Sequence, residues 1–377
     1  MKKLLFVLGS RGEWGYIKPV IEISKEFGFH SEVCVTNMML LPKHGDLLNE
    51  IMVDGIDVSS RILSAVSGDS REAMAKSIGL VTQSFTDTLM SRRPDWVILS
   101  GDRAEQLGAA IASTFMYIPT AHIQAGERSG SIDGVTRHAI TKLVHLHFAS
   151  NDDAADRLIK MGEQSFRVIK SGAPQIDSIV RSTRLSIENL ISSNFVSEAK
   201  YALICFHPVT EDFHEIDSQI NFLLDLANKI SVSKIWILPN NDPGGDKIRE
   251  KILANKKIED KVFANLPRHI YLSLMEHAQY MLGNSSSGIL EAPSFKTPVI
   301  NIGRRQHGRV SEKNVIHVDF SIEACLAAIQ IISNQDFKSA LKHIINPYGD
   351  GTASAKILTN LANIKISQEF LVKTIAY

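Results

Sequence analysis

Neither sign of charge is in excess in this chain: Lys and Arg together number 41, as do Asp and Glu. A neutral protein exerts no long-range pull on a polyanion. Nucleic acid and anionic membrane are therefore not expected as partners, and any phosphate has to be recognised by a local site. Cysteine is scarce. The three, Cys34, Cys205 and Cys325, lie far apart in apolar runs, which argues against a disulfide framework and against zinc-ligand spacing and fits a reducing, cytoplasmic setting. No apolar run approaches the roughly 20 residues that a membrane-spanning helix requires. The N-terminal run from Met1 to Gly9 superficially resembles a secretory leader. It is short, passes into Ser10-Arg11-Gly12-Glu13 and offers no small-residue cleavage site, so it reads as a buried first strand. Repeats, low-complexity tracts and blocks of like charge are also lacking.

What is present is an alternation. Short apolar runs at 4–8, 32–36, 96–100, 120–124, 146–149 and 166–170 are separated by amphipathic stretches, including 103–115 and 134–144. The pattern restarts with runs at 202–206, 234–238, 261–264, 280–282, 298–302 and 315–318, with a helical stretch at 217–229 among them. Alternating strand and helix implies parallel sheets covered on both faces. Two successive sets in 377 residues imply two Rossmann-like domains. The expected division is 1–177, 178–350 and a C-terminal helical segment 351–377 that packs back on the first domain.

The most informative motif is Gly283-Asn284-Ser285-Ser286-Ser287-Gly288, followed by Glu291. An apolar run leads into it and a helix-like run leads out. Exposed N–H groups at a helix start, together with three hydroxyls, make an anion site. A carboxylate one turn later repels phosphate but accepts hydrogen bonds from a ribose, so the pair suggests a nucleotide, in particular a nucleotide-sugar. Other polar clusters also follow strands: Ser10-Arg11-Gly12-Glu13, Gly101-Asp102-Arg103, Ala125-Gly126-Glu127-Arg128, His207-Pro208, Pro239-Asn240-Asn241-Asp242 and Gly303-Arg304-Arg305. Ligands of parallel α/β sheets bind beyond the carboxyl ends of the strands, and these loops are expected to line a cleft between the domains.

Taken in order, Gly101-Asp102-Arg103, residues 122–133 (HIQAGERSGSID), Arg137-His138-Ala139-Ile140-Thr141-Lys142, His145-Leu146-His147-Phe148, Gly172-Ala173-Pro174, His207-Pro208-Val209-Thr210 and Gly283-Asn284-Ser285-Ser286 resemble the UDP-N-acetylglucosamine 2-epimerase family. The branch resembled is the hydrolysing one of sialic-acid-type pathways. The resemblance extends over nearly the whole chain. It implies a GT-B architecture, no cofactor and no metal, and a homodimer or dimer of dimers. It also implies elimination of UDP from UDP-N-acetylglucosamine, then hydration of the glycal to free N-acetylmannosamine.

That chemistry requires a carboxylate for proton transfer at C2 and cations or N–H groups for the departing diphosphate. By the resemblance, Asp102 is the first catalytic candidate, although its place also suits a helix N-cap. Asp133 is a second acid/base group that also suits a cap, and Glu127 is a third in a loop where a carboxylate is usually only solvated. His207 assists the leaving group. Arg11, Arg103 and Arg137 are candidates for the diphosphate, with Arg103 alternatively pairing with Asp102. Ser285, Ser286 and Glu291 anchor UDP, and Arg305 neighbours it. Asn240 lines the same surface, although Asn-Asn-Asp-Pro-Gly forms a turn on its own account. His138, His145 and His147 lack metal-ligand spacing.

Three positions depart from the family. Gln124 stands where many relatives have a catalytic glutamate and is unable to exchange a proton, so it orients the sugar or a water. Met39 occupies a stretch, up to Gly45, where hydrolysing relatives often carry histidine, and Gly15 replaces a serine of some relatives. The UDP end is family-like and the sugar end altered. The alternatives are therefore the same reaction on UDP-N,N′-diacetylbacillosamine, a non-hydrolysing epimerase, a GT-B glycosyltransferase, or a nucleotide-sugar sensor without turnover.

Overall fold

The computed structural model describes residues 1–42, 47–66 and 70–376. The chain divides into two compact units, one formed by Met1–Arg128, Ile132–Arg181 and Tyr348–Tyr377, the other by Ser129–Ser131 and Ser182–Pro347.

The first unit is built on seven strands: β1 (Lys2–Leu8), β2 (Phe29–Thr36), β3 (Asp57–Ile62), β4 (Trp96–Ser100), β5 (Thr120–Ala125), β6 (Leu146–Ala149) and β7 (Val168–Lys170). Their order is β3-β2-β1-β4-β5-β6-β7, and every pairing is parallel. Between them run helices α1 (Arg11–Ser24), α2 (Leu47–Val53), α3 (Arg71–Arg92), α4 (Ala104–Phe115), α5 (Ile132–Leu143), α6 (Asp152–Lys160) and α7 (Pro174–Arg181). Parallel strands buried on both faces need continuous apolar runs rather than alternation, and β1, β4 and β6 have them. β3, with the sequence DVSSRI, has too little apolar character to be recognised as a strand. It lies at the sheet edge, where one side needs no partner.

Helix α1 shows how the site end of the sheet is shaped. Ser10, two residues past β1, caps the helix, while Glu13 reaches back to accept from the N–H groups of Gly9 (2.6 Å) and Ser10 (3.1 Å). Trp14, Ile17, Val20 and Ile21 recur at helical spacing and face the core. Burial and the neighbouring Glu105 raise the Glu13 carboxyl well above its ordinary range.

The second unit begins with α8 (Ile187–Ser192). Its strands are β8 (Tyr201–Cys205), β9 (Ser233–Ile237), β10 (Lys261–Phe263), β11 (Tyr280–Gly283), β12 (Val299–Ile302) and β13 (Val315–Val318), in the all-parallel order β10-β9-β8-β11-β12-β13. Helices α9 (Ile216–Lys229), α10 (Gly245–Asn255), α11 (Arg268–His277), α12 (Ser286–Leu290), α13 (Ala292–Phe295), α14 (Ile322–Ser333) and α15 (Gln335–Leu341) complete it. Each sheet changes direction of growth once, at β1/β4 in the first and at β8/β11 in the second. Loops diverge at such switch points and leave room for a ligand.

Residues 178–181 and 348–350, expected in the second domain, group with the first unit, because α7 runs on to Arg181 and the Ala173 N–H donates to the Tyr348 carbonyl at 2.7 Å. Helices α16 (Ala353–Asn363) and α17 (Gln368–Leu371) follow. Buried Asp177 accepts from the Ala353 and Ser354 N–H groups at 3.0 and 2.6 Å, closing the start of α16 with a carboxylate. Ile357, Leu358 and Leu361 then enter the core that holds Ile17 and Val20. Beyond α17, Lys373 reaches Glu163 (2.5 Å) and the carbonyls of Thr141 and Val144, and Glu163 also bonds His147 at 2.9 Å. Burial pushes Lys373 down to about 8 and His147 down to about 4. Burial alone pushes Glu163 up, but its bonds to His147 and Lys373 outweigh this and hold it at about 2.

Lys373→Met takes from buried Glu163 its most buried cation and leaves it only Lys142, at 2.9 Å, and His147, so the variant is expected to lower the unfolding free energy by about 1–3 kcal/mol in urea titrations. Adding Glu163→Gln is expected to restore part of it. Folded Glu163 binds fewer protons than the unfolded chain does between its ordinary 4.5 and about 2. Its stabilisation is therefore present above that window and lost as pH falls through it, and the double variant is expected to lack this acid loss.

Candidate functional site

In the first unit the polar groups collect where β1, β4 and β5 end. Gly101 turns the chain after β4, and the buried His122 side chain of β5 holds that turn, its Nε2 2.6 Å from the Gly101 carbonyl. Burial lowers His122 to about 3, so it is neutral and donates from Nε2. Asp102 follows. It does not cap α4, because the cap position falls one residue later on Arg103, which provides no side-chain cap. Asp102 instead pairs with Arg137, whose other amino group donates to the Gln124 carbonyl at 2.6 Å.

Arg137, expected beside the diphosphate, is 1% exposed and turned inward onto these two groups. The physical reason is position: it lies on the buried face of α5 directly behind β5. Arg103 lies 3.9 Å from Glu105. Asp133 stands in the first turn of α5, inside the helix and not before it, half-buried and one turn ahead of Arg137 on the same side. Arg11 is the first residue of α1, at the end of β1.

Gln124 is the strained point of this group. Its φ is +61°, where a side chain other than glycine is uncommon, and the β5/β6 register slips around it. Its side chain is buried, and Nε2 has no hydrogen-bond partner among the described residues. A buried amide donor left in this way is suited to an acceptor on a ligand. Glu127, expected in a solvated loop, is 3% exposed and accepts from the Ser150 hydroxyl, because β5 passes its following loop beneath α6. Met39 is buried in the core around β1 and β2, Gly15 lies buried in α1, and the Lys43–Gly45 part of the altered stretch is outside the described residues.

The histidine trio is dispersed. His145 Nδ1 accepts from the Thr120 N–H at 3.2 Å and its ring stacks on Phe370, His147 is committed to Glu163, and His138 is lowered by burial and by neighbouring arginines.

In the second unit the organising residue is one to which the sequence motifs assigned no separate role. Asn284, 2% exposed, accepts from the His207 N–H through Oδ1 (2.7 Å) and donates through Nδ2 to the His207 carbonyl (2.8 Å). Its own N–H donates to the Cys205 carbonyl, and its carbonyl accepts from Arg305 (3.2 Å) and Gln306 (2.8 Å). A Cβ on Gly283 would lie 2.2 Å from the Cys205 carbonyl oxygen, and φ there is +131°, so only glycine permits this approach of β11 to β8. The imidazole of His207 accepts from the Asn240 N–H at Nδ1 (3.3 Å), which puts the proton of the neutral ring on Nε2, 3.4 Å from the Cys205 sulfur. The Asn240 side chain closes its own turn onto Asp242 at 2.6 Å.

Ser285 caps α12, with Oγ accepting from the Ser287 N–H (3.4 Å) and lying 2.9 Å from the Ser287 hydroxyl. Ser286 is the first helical residue. The helix is broken at Glu291, two residues before Pro293, yet the Glu291 N–H still donates to the Ser287 carbonyl at 2.9 Å. One turn therefore separates the hydroxyls from the carboxylate. The Glu291 side chain is paired with Arg268. Neither Arg268 nor Asn284 carries a signal of its own in the sequence: one lies far upstream of the motif, and the other passes for an ordinary turn residue within it.

Two all-parallel α/β units, each with a polar cluster at its switch point, define a protein of GT-B fold class. The chain belongs to the UDP-N-acetylglucosamine 2-epimerase family, whose model matches residues 21–362. It is 34% identical over the full length of both chains to the Legionella pneumophila UDP-N,N′-diacetylbacillosamine 2-epimerase (hydrolyzing). To the UDP-N-acetylglucosamine 2-epimerase of Neisseria meningitidis serogroup B it is 30% identical over 88% of this chain and 87% of that one. Among solved structures, the N. meningitidis UDP-GlcNAc 2-epimerase bound to UDP-GlcNAc superposes with a TM-score of 0.78 at 24% identity, covering 95% of this chain and 99% of that one. The Methanocaldococcus jannaschii UDP-GlcNAc 2-epimerase, in complex with UDP-GlcNAc and UDP, gives 0.79 at 18% over 95% and 99%.

Asn284→Ala leaves both peptide groups of His207 without their partner. It is expected to lower stability by about 2–4 kcal/mol in denaturant titrations. Asn284→Asp is expected to recover little, because a carboxylate oxygen then faces the His207 carbonyl.

Proposed function

We propose that the chain is a hydrolysing 2-epimerase that takes a UDP-linked 2-acetamido sugar, eliminates UDP and hydrates the glycal to release the free 2-epimer. The observation that carries this reading is the 34% identity over the whole length of both chains to a relative named as hydrolysing. The Campylobacter jejuni protein named GDP/UDP-N,N′-diacetylbacillosamine 2-epimerase (hydrolyzing), 33% identical over 89% of each chain, supports it. These two names favour UDP-N,N′-diacetylbacillosamine over UDP-N-acetylglucosamine as donor. The sugar end of the sequence agrees. Diacetylbacillosamine lacks the 6-hydroxyl and carries an acetamido group in place of the 4-hydroxyl, and a buried Met39 in place of histidine suits a less polar sugar.

The elimination breaks the C2–H and C1–O bonds: a base takes the C2 proton, the electron pair forms the C1–C2 double bond, and UDP departs with the glycosidic oxygen. Asp102, oriented by Arg137, is the group assigned to the C2 proton. Gln124 has no proton to exchange, but its unpartnered amide is suited to hold an acceptor on the sugar. Asp133 is assigned to the hydration step, in which water adds at C1 and a proton returns to C2. UDP is received in the second unit by Ser285, Ser286 and Glu291, with Arg305 at their side and His207 Nε2–H as donor to the leaving diphosphate. Arg11 and Arg103 remain diphosphate candidates.

Incubation with each donor in heavy water, followed by NMR, tests the reading. Free 2-epimeric sugar, UDP and deuterium at C2 are expected, with faster turnover of the diacetylbacillosamine donor. A UDP-linked epimer as the product overturns hydrolysis, and the absence of UDP release without an acceptor points to a transferase. Asp102→Asn is expected to lower kcat by about 100-fold or more while the UDP Kd is unchanged.

A further inference from the structure

Helix α11 contributes nothing to the motifs that mark the nucleotide anchor, yet it sends two side chains, one helical turn apart, into it. Arg268, its first residue, pairs through Nη2 with Glu291 Oε1. Tyr271, three residues on and therefore on the same face, places its hydroxyl 2.5 Å from the Ser287 hydroxyl, which in turn lies 2.9 Å from that of Ser285. Ser287, which lies against the anchor hydroxyl of Ser285, and the anchor carboxylate of Glu291 one turn later thus each have a partner on α11.

The support is needed for physical reasons. Glu291 sits at the break between α12 and α13, with φ −109° and ψ −42°; its N–H still donates to the Ser287 carbonyl, but that bond does not fix the side chain. A glutamate side chain has three further rotatable bonds. Its side chain is only 6% exposed and that of Arg268 only 19%, a depth at which a carboxylate requires a compensating partner. The guanidinium is planar and pre-organised, so its Nη2 bond to Oε1 directs that oxygen more narrowly than a freely rotating lysine ammonium does. A carboxylate has acceptor positions on both oxygens, so one held by Arg268 is still able to accept from a ligand.

We infer that Arg268 is a positioning residue: it fixes the Glu291 carboxylate for the ribose hydroxyls of UDP, and so sets the preference of this site for a ribonucleotide. Tyr271 plays the matching part for Ser287. The inference rests on the reading of Glu291 as the ribose acceptor, and the experiment separates the two. The alternative geometry, in which Arg268 leaves Glu291 to contact the diphosphate, predicts a different pattern.

The test is calorimetric titration of the whole chain with UDP and with 2′,3′-dideoxy-UDP. The wild-type protein is expected to bind UDP about tenfold or more tightly than the dideoxy analogue, as hydrogen bonds to a charged acceptor imply. Glu291→Gln is expected to bring that ratio close to one. A wild-type ratio already near one overturns the ribose reading itself, and this inference with it. Given the expected wild-type and Glu291→Gln results, Arg268→Met is expected to lose most of the ratio while the dideoxy-UDP Kd moves by less than about threefold. Arg268→Lys is expected to keep an intermediate ratio. An unchanged ratio in Arg268→Met overturns the inference. So does equal weakening of both ligands, the sign of a direct phosphate contact, and so does tighter UDP binding, the sign of a competitor for Glu291. If Arg268→Met does not fold, Arg268→Lys takes its place: an intermediate ratio supports the inference, and a lysine variant with the full wild-type ratio overturns it.

Discussion

A single side-chain amide holds the second unit's site together. β8 and β11 pair up to Cys205 and Gly283 at the switch point of their sheet, and the backbone of the loops beyond them has no strand partner to satisfy its N–H and C=O groups. Asn284 takes that place. Its amide pairs with both peptide groups of His207 as a neighbouring strand would, while its own N–H returns to Cys205. Its carbonyl collects Arg305 and Gln306. The imidazole of His207, the cap at Ser285 and the arginine after β12 are therefore all referenced to one residue. Buried polar networks of this kind are rigid only when every member is satisfied, and the glycine before Asn284 is what lets the two strands come close enough.

The first unit solves the same problem with charge. The turn after β4 is held from β5 by neutral His122, and Asp102 is oriented by Arg137, a guanidinium buried behind the strand. Turned inward, Arg137 fixes both the Asp102 carboxylate and the left-handed backbone at Gln124. Strain at Gln124 is stored where a glutamate of many relatives is replaced, and strain of this sort concentrates at functional positions. The departure at Gln124 thus lies inside an intact frame of hydrogen bonds.

The tail shows how far such a frame depends on distant chain. α16 is closed by Asp177 and packed on α1, and Lys373 is buried against Glu163 and His147 under β6. His147 and His145, which as a sequence pattern invite a metal reading, are used to anchor this segment and to hold the edge of β5.

Most of the strands were legible in the sequence, because parallel strands buried on both faces need unbroken apolar runs and the polar clusters then fall at their carboxyl ends. The edge strand β3 was not, since a strand with one free side carries a weaker pattern. The helix start at Ser285 and Ser286, with Glu291 following within two turns, was legible for a local reason: sequence spacing is geometry at that range. Partnerships across the fold were not legible. That Arg137 meets Asp102, that Arg268 meets Glu291, that Asn284 spans His207 and that Glu127 is buried depend on which strands lie side by side and which helix face turns inward. Residues far apart in sequence become neighbours only through that topology. By itself the sequence determined the two parallel α/β sets, the family and the local nucleotide motif, because those depend on periodicity and short spacing. The tertiary structure alone decided which charge faces which, because that depends on long-range packing.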